Sequence, residues 1–214
     1  MRVEIWTDIA CPWCYVGSAR FRQGLAAFAH RDQVEVVHRS FELNPQAENG
    51  DVPIIEAVAA QYGRTREQQV AREEQAAAMA EAMGLGYRAG GRVFGNTFDV
   101  HRLLHFARTR DAQARLMDIA FRINFAEERS IYDRETLVHA AVEAGLDAKE
   151  VRDVLDDPDA YAEEVRADER LAAELGANGV PFFVLDRRYG VSGVQSPEAF
   201  TRALEQAWAD RPTV

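Results

Sequence analysis

Cysteine is scarce in this chain: of 214 residues only Cys11 and Cys14 carry a thiol. A secreted scaffold spreads its cysteines to close large loops, where cross-linking gains most stability. A bridge between these two closes so small a ring that its value is chemical. Basic charge is lacking too. The net charge of −10 argues against a general nucleic-acid binder, because phosphate contacts need clustered Lys and Arg. The arginines stand among acids, as in Arg110-Asp111 and Arg152-Asp153, a pattern of solvated helix faces. No apolar run approaches the roughly 18 residues of a membrane span. Met1 to Asp8 alternates polar and apolar residues and carries two acids, unlike the basic start and unbroken apolar stretch of a secretory signal. A cytoplasmic protein with no membrane or nucleic-acid partner is the expectation.

What is present suffices for a sizeable core, since 47% of the residues are hydrophobic, in one domain or one domain with an insertion. Val3 to Asp8 reads as a buried strand. Tyr15 to Phe28, with apolar Val16, Ala19, Leu25 and Phe28, fits a helix, and Pro12 sits where a helix start tolerates proline. Gln33 to Phe41 reads as a second strand, so the chain opens β-α-β, which favours a parallel pair. From Pro53 to Asp157 one helical pattern follows another, with spans at 65–83, 101–109 and 112–125 and a long glycine-rich loop at 85–96. Asp133 caps a helix running to Gly145, and Asp147 with Glu150 has the pattern of a capping box. After a helix over 160–175 come an apolar strand at 180–185, a turn at 186–189, a return strand at 190–194 and a helix from Ser196 to Trp208. The order is β-α-β, a helical block, then α-β-β-α. One α/β domain from residues 1–50 and 158–214, carrying an all-helical insertion over 51–157, accounts for it.

A thiol attacks a disulfide only as thiolate, and the free N–H groups and positive dipole end of a helix N-terminus favour that anion. Cys11 falls at the expected N-cap and should feel this field most. Cys14, one turn in, is better shielded, yet near enough to attack a mixed disulfide formed by the first sulfur. Cys11 is therefore read as the nucleophile and Cys14 as the resolving thiol. The rival reading of C-x-x-C is half of a zinc site, which needs two more ligands. With no further cysteine they would have to be histidines, and His101 and His105 do share i, i+4 spacing. Gly-Val-Pro before the 180–185 strand has no role in that reading, and no metal is expected.

Cys11-Pro12-Trp13-Cys14-Tyr15, Gly179-Val180-Pro181-Phe182-Phe183 and Val191-Ser192-Gly193-Val194-Gln195 resemble the thioredoxin-like family of the disulfide-bond protein DsbA. Phe94 to Asp99 and His101-Arg102-Leu103 resemble the helical insert of its cytosolic FrnE-type branch. The likeness spans nearly the whole chain. It implies a thioredoxin-like fold, with Pro181 cis and facing the dithiol, and with the backbone of Val180 pairing with an extended substrate segment. Without the dithiol, Pro181 would read as the start of an edge strand.

The implied activity is thiol–disulfide exchange with protein or peptide partners, catalysed by Cys11, Cys14 and Pro181, with Pro12, Trp13 and Val180 at the substrate. A reducing cytosol favours reductase or isomerase activity. No cofactor beyond the Cys11–Cys14 couple is required, and glutathione is left open as the reductant that recycles it. Two rivals stand beside this reading. One is a chaperone-like peptide-binding module. The other is a glutathione-dependent isomerase or transferase of small aromatic substrates, such as the related 2-hydroxychromene-2-carboxylate isomerase; those relatives characteristically present serine where this chain has Cys11. Asn96, Asp99, His101 and Arg102 either line the cleft between insert and sheet or hold the insert's loop and helix together, and the structural role is preferred. His38 and Glu42 flank the end of the second strand, where a buried ionisable group could shuttle protons. A homodimer is left open, with no patch that locates it.

Overall fold

The computed structural model describes residues 1–88, 90–127 and 129–211. Strand β1 (Arg2–Thr7) pairs parallel with β2 (Glu35–Ser40), from Arg2 opposite Glu35 to Thr7 opposite Ser40. Helix α1 (Pro12–Ala27) makes the crossover that a parallel pair requires. On its other edge β1 pairs antiparallel with Phe182–Leu185, which pairs antiparallel with Tyr189–Ser192. The sheet order is therefore second, first, third and fourth strand, built from both ends of the chain.

The two faces of the sheet follow the period-two alternation of its strands. Val3, Ile5, Phe183 and Leu185 pack with Phe21 and Phe28 of α1 and with Phe200 and Leu204 of the last helix, Pro197–Ala209. Trp6, Phe182 and Val184 face the opposite way, against Ala172 of the helix Ala162–Glu174. Trp6 Nε1 donates to the Asp168 carbonyl at 2.8 Å. Glu4 is buried on this face too. It is paired with Arg39, which also reaches the Asp168 carboxylate at 2.8 Å. Such pairing is what a buried carboxylate needs.

Between β2 and the helix Ala162–Glu174 lie six further helices among the described residues: α2 (Ile54–Gln61), α3 (Arg66–Glu81), α4 (Phe98–Arg108), α5 (Gln113–Ala126), α6 (Arg134–Glu143) and α7 (Ala148–Asp156). They are not set apart from the sheet. Cys14, Tyr15 and Val16 of α1 share one core with Leu103, Leu116, Phe121 and Phe125, and the Tyr15 ring stacks on Phe125 at 5.0 Å.

Several boundaries move. Helix α1 begins at Pro12 with Cys11 as its N-cap, as expected, whereas α4 begins at Phe98, not His101. The third strand begins at Phe182, leaving Val180 and Pro181 outside it. Helix α2 lies where no separate helix was resolved by pattern, because the β-branched Ile54, Ile55 and Val58 blur its period. Asp147 caps α7 through the amides of Lys149 and Glu150, but the Glu150 carboxylate accepts from Arg110 at 3.0 Å. The full capping box is at Thr65 and Gln68 instead. The turn between the last two strands has positive φ at Asp186 and Arg187, and Arg188 N–H donates to Leu185 O at 3.0 Å. That is the mirror-image turn a right-twisted hairpin prefers, made here without glycine.

Candidate active site

Strand β1 ends at Thr7, and Asp8 to Ala10 carry the chain to the start of α1. Cys11 is the N-cap, in extended conformation, and its carbonyl accepts from the amides of Cys14 (3.1 Å) and Tyr15 (3.2 Å). Pro12 occupies the first helical position, where a missing N–H costs nothing. The first turn of α1 carries no acidic side chain, so the positive helix end faces Cys11 without internal compensation. Both cysteines are free thiols.

The two sulfurs differ in setting. Cys11 borders a cleft of about 290 Å³, keeps 3% of its surface exposed, and donates through Sγ to the Val180 carbonyl at 3.7 Å. Cys14 is wholly buried. Burial pushes its thiol well above the ordinary range, and hydrogen bonding and charge at Cys11 add to the rise. Of the two sulfurs, only that of Cys11 borders the cleft, while burial disfavours an anion at Cys14.

The Val180–Pro181 peptide bond is cis. The Pro181 ring lies against α1 so closely that a Cβ on Gly17 would meet its Cγ at 2.9 Å. This close approach explains the glycine inside the helix, where it otherwise costs about 1 kcal/mol against alanine. Pro12, Trp13 and Val180 line the cleft beside Cys11, and Pro181 directly follows Val180 in the chain.

A family model described as "DSBA-like thioredoxin domain" matches residues 2–205. The chain belongs to the DsbA-like thioredoxin family. That is a family of thiol–disulfide oxidoreductases, and its fold is the one described above. A probable DsbA oxidoreductase from Streptomyces coelicolor is similar at 61% identity and TM-score 0.95, over 100% of this chain and 92% of that one. DsbM, a cytosolic disulfide reductase from Pseudomonas aeruginosa whose structure was determined with GSH, shares the fold at 17% identity. Its TM-score is 0.68, over 98% of this chain and 100% of that one. A 2-hydroxychromene-2-carboxylate isomerase shares it at 16% identity and TM-score 0.67, over 98% of this chain and 95% of that one. Among the described residues no helix is long and apolar enough to cross a membrane.

Around the DsbA-like dithiol the helical region supplies the outer wall of the cleft through Tyr62, Arg64, Arg72 and Glu73. The Arg64 guanidinium lies 4.5 Å from the Tyr62 ring centroid, and that of Arg72 lies 5.7 Å from that of Trp13. Glu73 is buried and neutralised by Arg92 and the Tyr87 hydroxyl, which donates at 2.7 Å. The net charge offered by this wall is positive. Sequence reading missed it, because Arg64 and Arg72 look like any solvated helix arginines until the fold brings them opposite Cys11.

Asp8 was missed as well. It is 1% exposed, three residues before Cys11, and its carboxylate accepts from Ala10 N–H (3.2 Å) and Leu43 N–H (2.7 Å), tying the active-site loop to the end of β2. Its position at the strand end was the one available signal. Asn96 bonds the Pro45 and Ala47 carbonyls and accepts from Phe98 N–H. Arg102 pairs with Asp99 and donates to the Val154, Asp157 and Ala160 carbonyls at the end of α7. All three hold the helical region together. His101 and His105 do not converge: His105 meets Ser40 at 3.1 Å and Asp168 at 3.2 Å, whereas His101 lies 3.6 Å from Asp8. His38 is buried, with its main-chain N–H and carbonyl both bonded to the Gln113 side chain.

Proposed function

We propose that this chain is a cytoplasmic, FrnE-type reductase or isomerase of protein and peptide disulfides, working through Cys11-Pro12-Trp13-Cys14. One observation carries the reading: one sulfur at a helix N-terminus opens on a cleft, and the other is sealed beneath it. Cys11 thiolate attacks a substrate disulfide, forming a Cys11–substrate bond and releasing one substrate thiolate. Cys14 then gives up its proton and attacks Cys11. The Cys11–substrate bond breaks, the second substrate thiolate leaves, and the couple is left oxidised while the substrate is reduced.

Deprotonation of Cys11 also removes the one donor that the Val180 carbonyl has among the described residues. That acceptor then becomes free for an N–H of an extended substrate, which supports strand-like docking beside Pro181. The arginines across the cleft and its modest volume support glutathione as the reductant that returns the couple to dithiol, its carboxylates meeting Arg64 and Arg72.

Insulin-disulfide reduction with glutathione as reductant tests the reading. Wild type is expected to turn over, and the Cys11→Ser, Cys14→Ser variant to be inert. Suppression of aggregation by that inert variant would favour a peptide-binding module. Turnover of a small aromatic substrate by the same variant would favour a glutathione-dependent isomerase.

A further inference from the structure

The chain carries a net charge of −10, yet the wall of its cleft offers the opposite sign. Two acids line the cleft, and both are spent inside the protein. Glu73 is taken by Arg92 and the Tyr87 hydroxyl, and the buried Asp8 carboxylate holds the amides of Ala10 and Leu43. Two arginines line it as well, and their charge is not spent. Among the described residues Arg64 and Arg72 meet no carboxylate, although Arg66 close by in the chain is paired with Glu56. Neutral groups hold Arg64: its guanidinium lies 4.5 Å from the Tyr62 ring centroid and donates to Gln69 Oε1 at 3.0 Å. Gln69 donates in turn to Glu73 at 3.4 Å, so an amide stands between Arg64 and that acid. Arg72 is exposed and lies over the Trp13 ring at 5.7 Å. Aromatic faces and amide oxygens fix a guanidinium without cancelling its charge. The Tyr62 hydroxyl also feels charge at Cys11, which sets the Tyr62–Arg64 pair within electrostatic reach of the attacking sulfur.

We propose that Arg64 and Arg72 select the substrate by charge: the site takes disulfides whose cysteine is flanked by carboxylates and turns away those flanked by ammonium groups. The inference rests on the dithiol-exchange reading above and adds the chemical class of the disulfide that meets Cys11. In the first step the Cys11 thiolate attacks one sulfur of such a disulfide. A Cys11–sulfur bond forms, the substrate S–S bond breaks, and the departing half leaves as a thiolate with the electron pair. The arginines make and break none of these bonds. They raise the rate at which anionic disulfides are captured, and they offset the repulsion that a Cys11 thiolate exerts on them. Once the substrate is bonded to Cys11, its flanking side chains lie at the cleft, where a carboxylate can take the two parallel N–H groups of a guanidinium. An ammonium group there meets two positive charges with no accessible acid to balance them.

The test oxidises the reduced full-length protein with three small disulfides of different charge: dithiodipropionate, hydroxyethyl disulfide and cystamine. Acid quenching and mass spectrometry give each rate, which is divided by the rate of the same disulfide with mercaptoethanol to remove its intrinsic reactivity. The readout is the ratio between disulfides, not any single rate. Wild type is expected to prefer the dicarboxylate over the diamine by roughly tenfold at low salt, with the neutral disulfide between them. Raising the salt from about 10 mM to about 1 M should collapse that order. The Arg64→Gln, Arg72→Gln double variant should keep no more than about a twofold preference, and the Arg64→Lys, Arg72→Lys variant should restore most of it. The proposal is overturned by a wild-type rate that does not follow charge. It is also overturned by a double glutamine variant that keeps the wild-type ratio, as when all three reactions slow equally. Should that variant not fold, the salt series on wild type decides alone, and an order that persists at high salt overturns the proposal. Failure of wild type to react with the neutral disulfide at any salt overturns the dithiol reading itself.

Discussion

The two sides of the Cys11–Cys14 pair face different surroundings. On the Cys11 side are a cleft, a carbonyl with a replaceable donor, and arginines stacked on aromatic rings. On the Cys14 side are the shared core of α1, α4 and α5 and a knot of buried carboxyl and imidazole groups. Three residues of sequence separate reactivity from protection. The helix start makes this economical: its N-cap borders the cleft and its third residue is buried in the core. Changes on the cleft side should therefore alter chemistry and leave the fold intact, whereas changes on the core side should cost stability first.

The sharpest break in the comparison comes from the cysteines themselves. Cys11→Ser is expected to remove disulfide exchange entirely, while Cys14→Ser still bonds a peptide disulfide and stalls as a mixed disulfide that gel electrophoresis under non-reducing conditions detects. A Cys11→Ser protein that stalls in the same way would reverse the roles assigned to the two sulfurs.

On the core side, Asp168 holds Arg39 and His105 and accepts the Ser40 amide at 2.9 Å. Despite burial, these partners keep its carboxyl below the usual carboxylate range. Asp168→Asn should cost about 3–5 kcal/mol in urea unfolding, as loss of one member of a buried pair does. A folded-state value below the unfolded one means this stabilisation is present above about pH 4 and lost as pH falls below it.

His38 gives a second pH window. Burial, together with Arg22, lowers its imidazole from 6.5 to about 4. The unfolded chain binds this proton first, so stability is full above pH 6.5 and falls as pH drops toward 4, by about 3 kcal/mol in all. His38→Gln should flatten the stability profile between those two values.

The smallest expected effect joins the two sides. Gly17→Ala drives a methyl into the Pro181 ring and should cost about 1–3 kcal/mol in unfolding measurements. Displacing Pro181 should also slow exchange at Cys11, and unchanged exchange would show that Pro181 placement does not matter to the cleft.

Much of this was legible in the sequence, for identifiable reasons. The dithiol and the proline at the helix start lie in one short local pattern whose chemistry does not depend on distant partners, whereas the place of Val180-Pro181 beside them came only from the family resemblance. The first strand could be read because Val3, Ile5 and Trp6 are strand-forming residues, and both of its faces are buried. Asp8, His101 and the cleft arginines could not be read as a group. Asp8 and His101 are 93 positions apart in sequence and 3.6 Å apart in space, and neither residue type in its own segment signals a partner. Helix α2 was obscured by β-branched residues. Glycine-free positive φ at Asp186 and Arg187 hid the turn type, although the turn itself was placed correctly by its neighbours.

The central claim is that Cys11 is the open sulfur and Cys14 the sealed one. Timed alkylation of the reduced native protein with iodoacetamide near neutral pH, with each site identified by peptide mass spectrometry, tests it most directly. Modification of Cys11 well before Cys14, with Cys14 reacting readily only after denaturation, is the predicted result. Labelling of Cys14 at the same rate as Cys11, or ahead of it, in the folded protein would contradict the account.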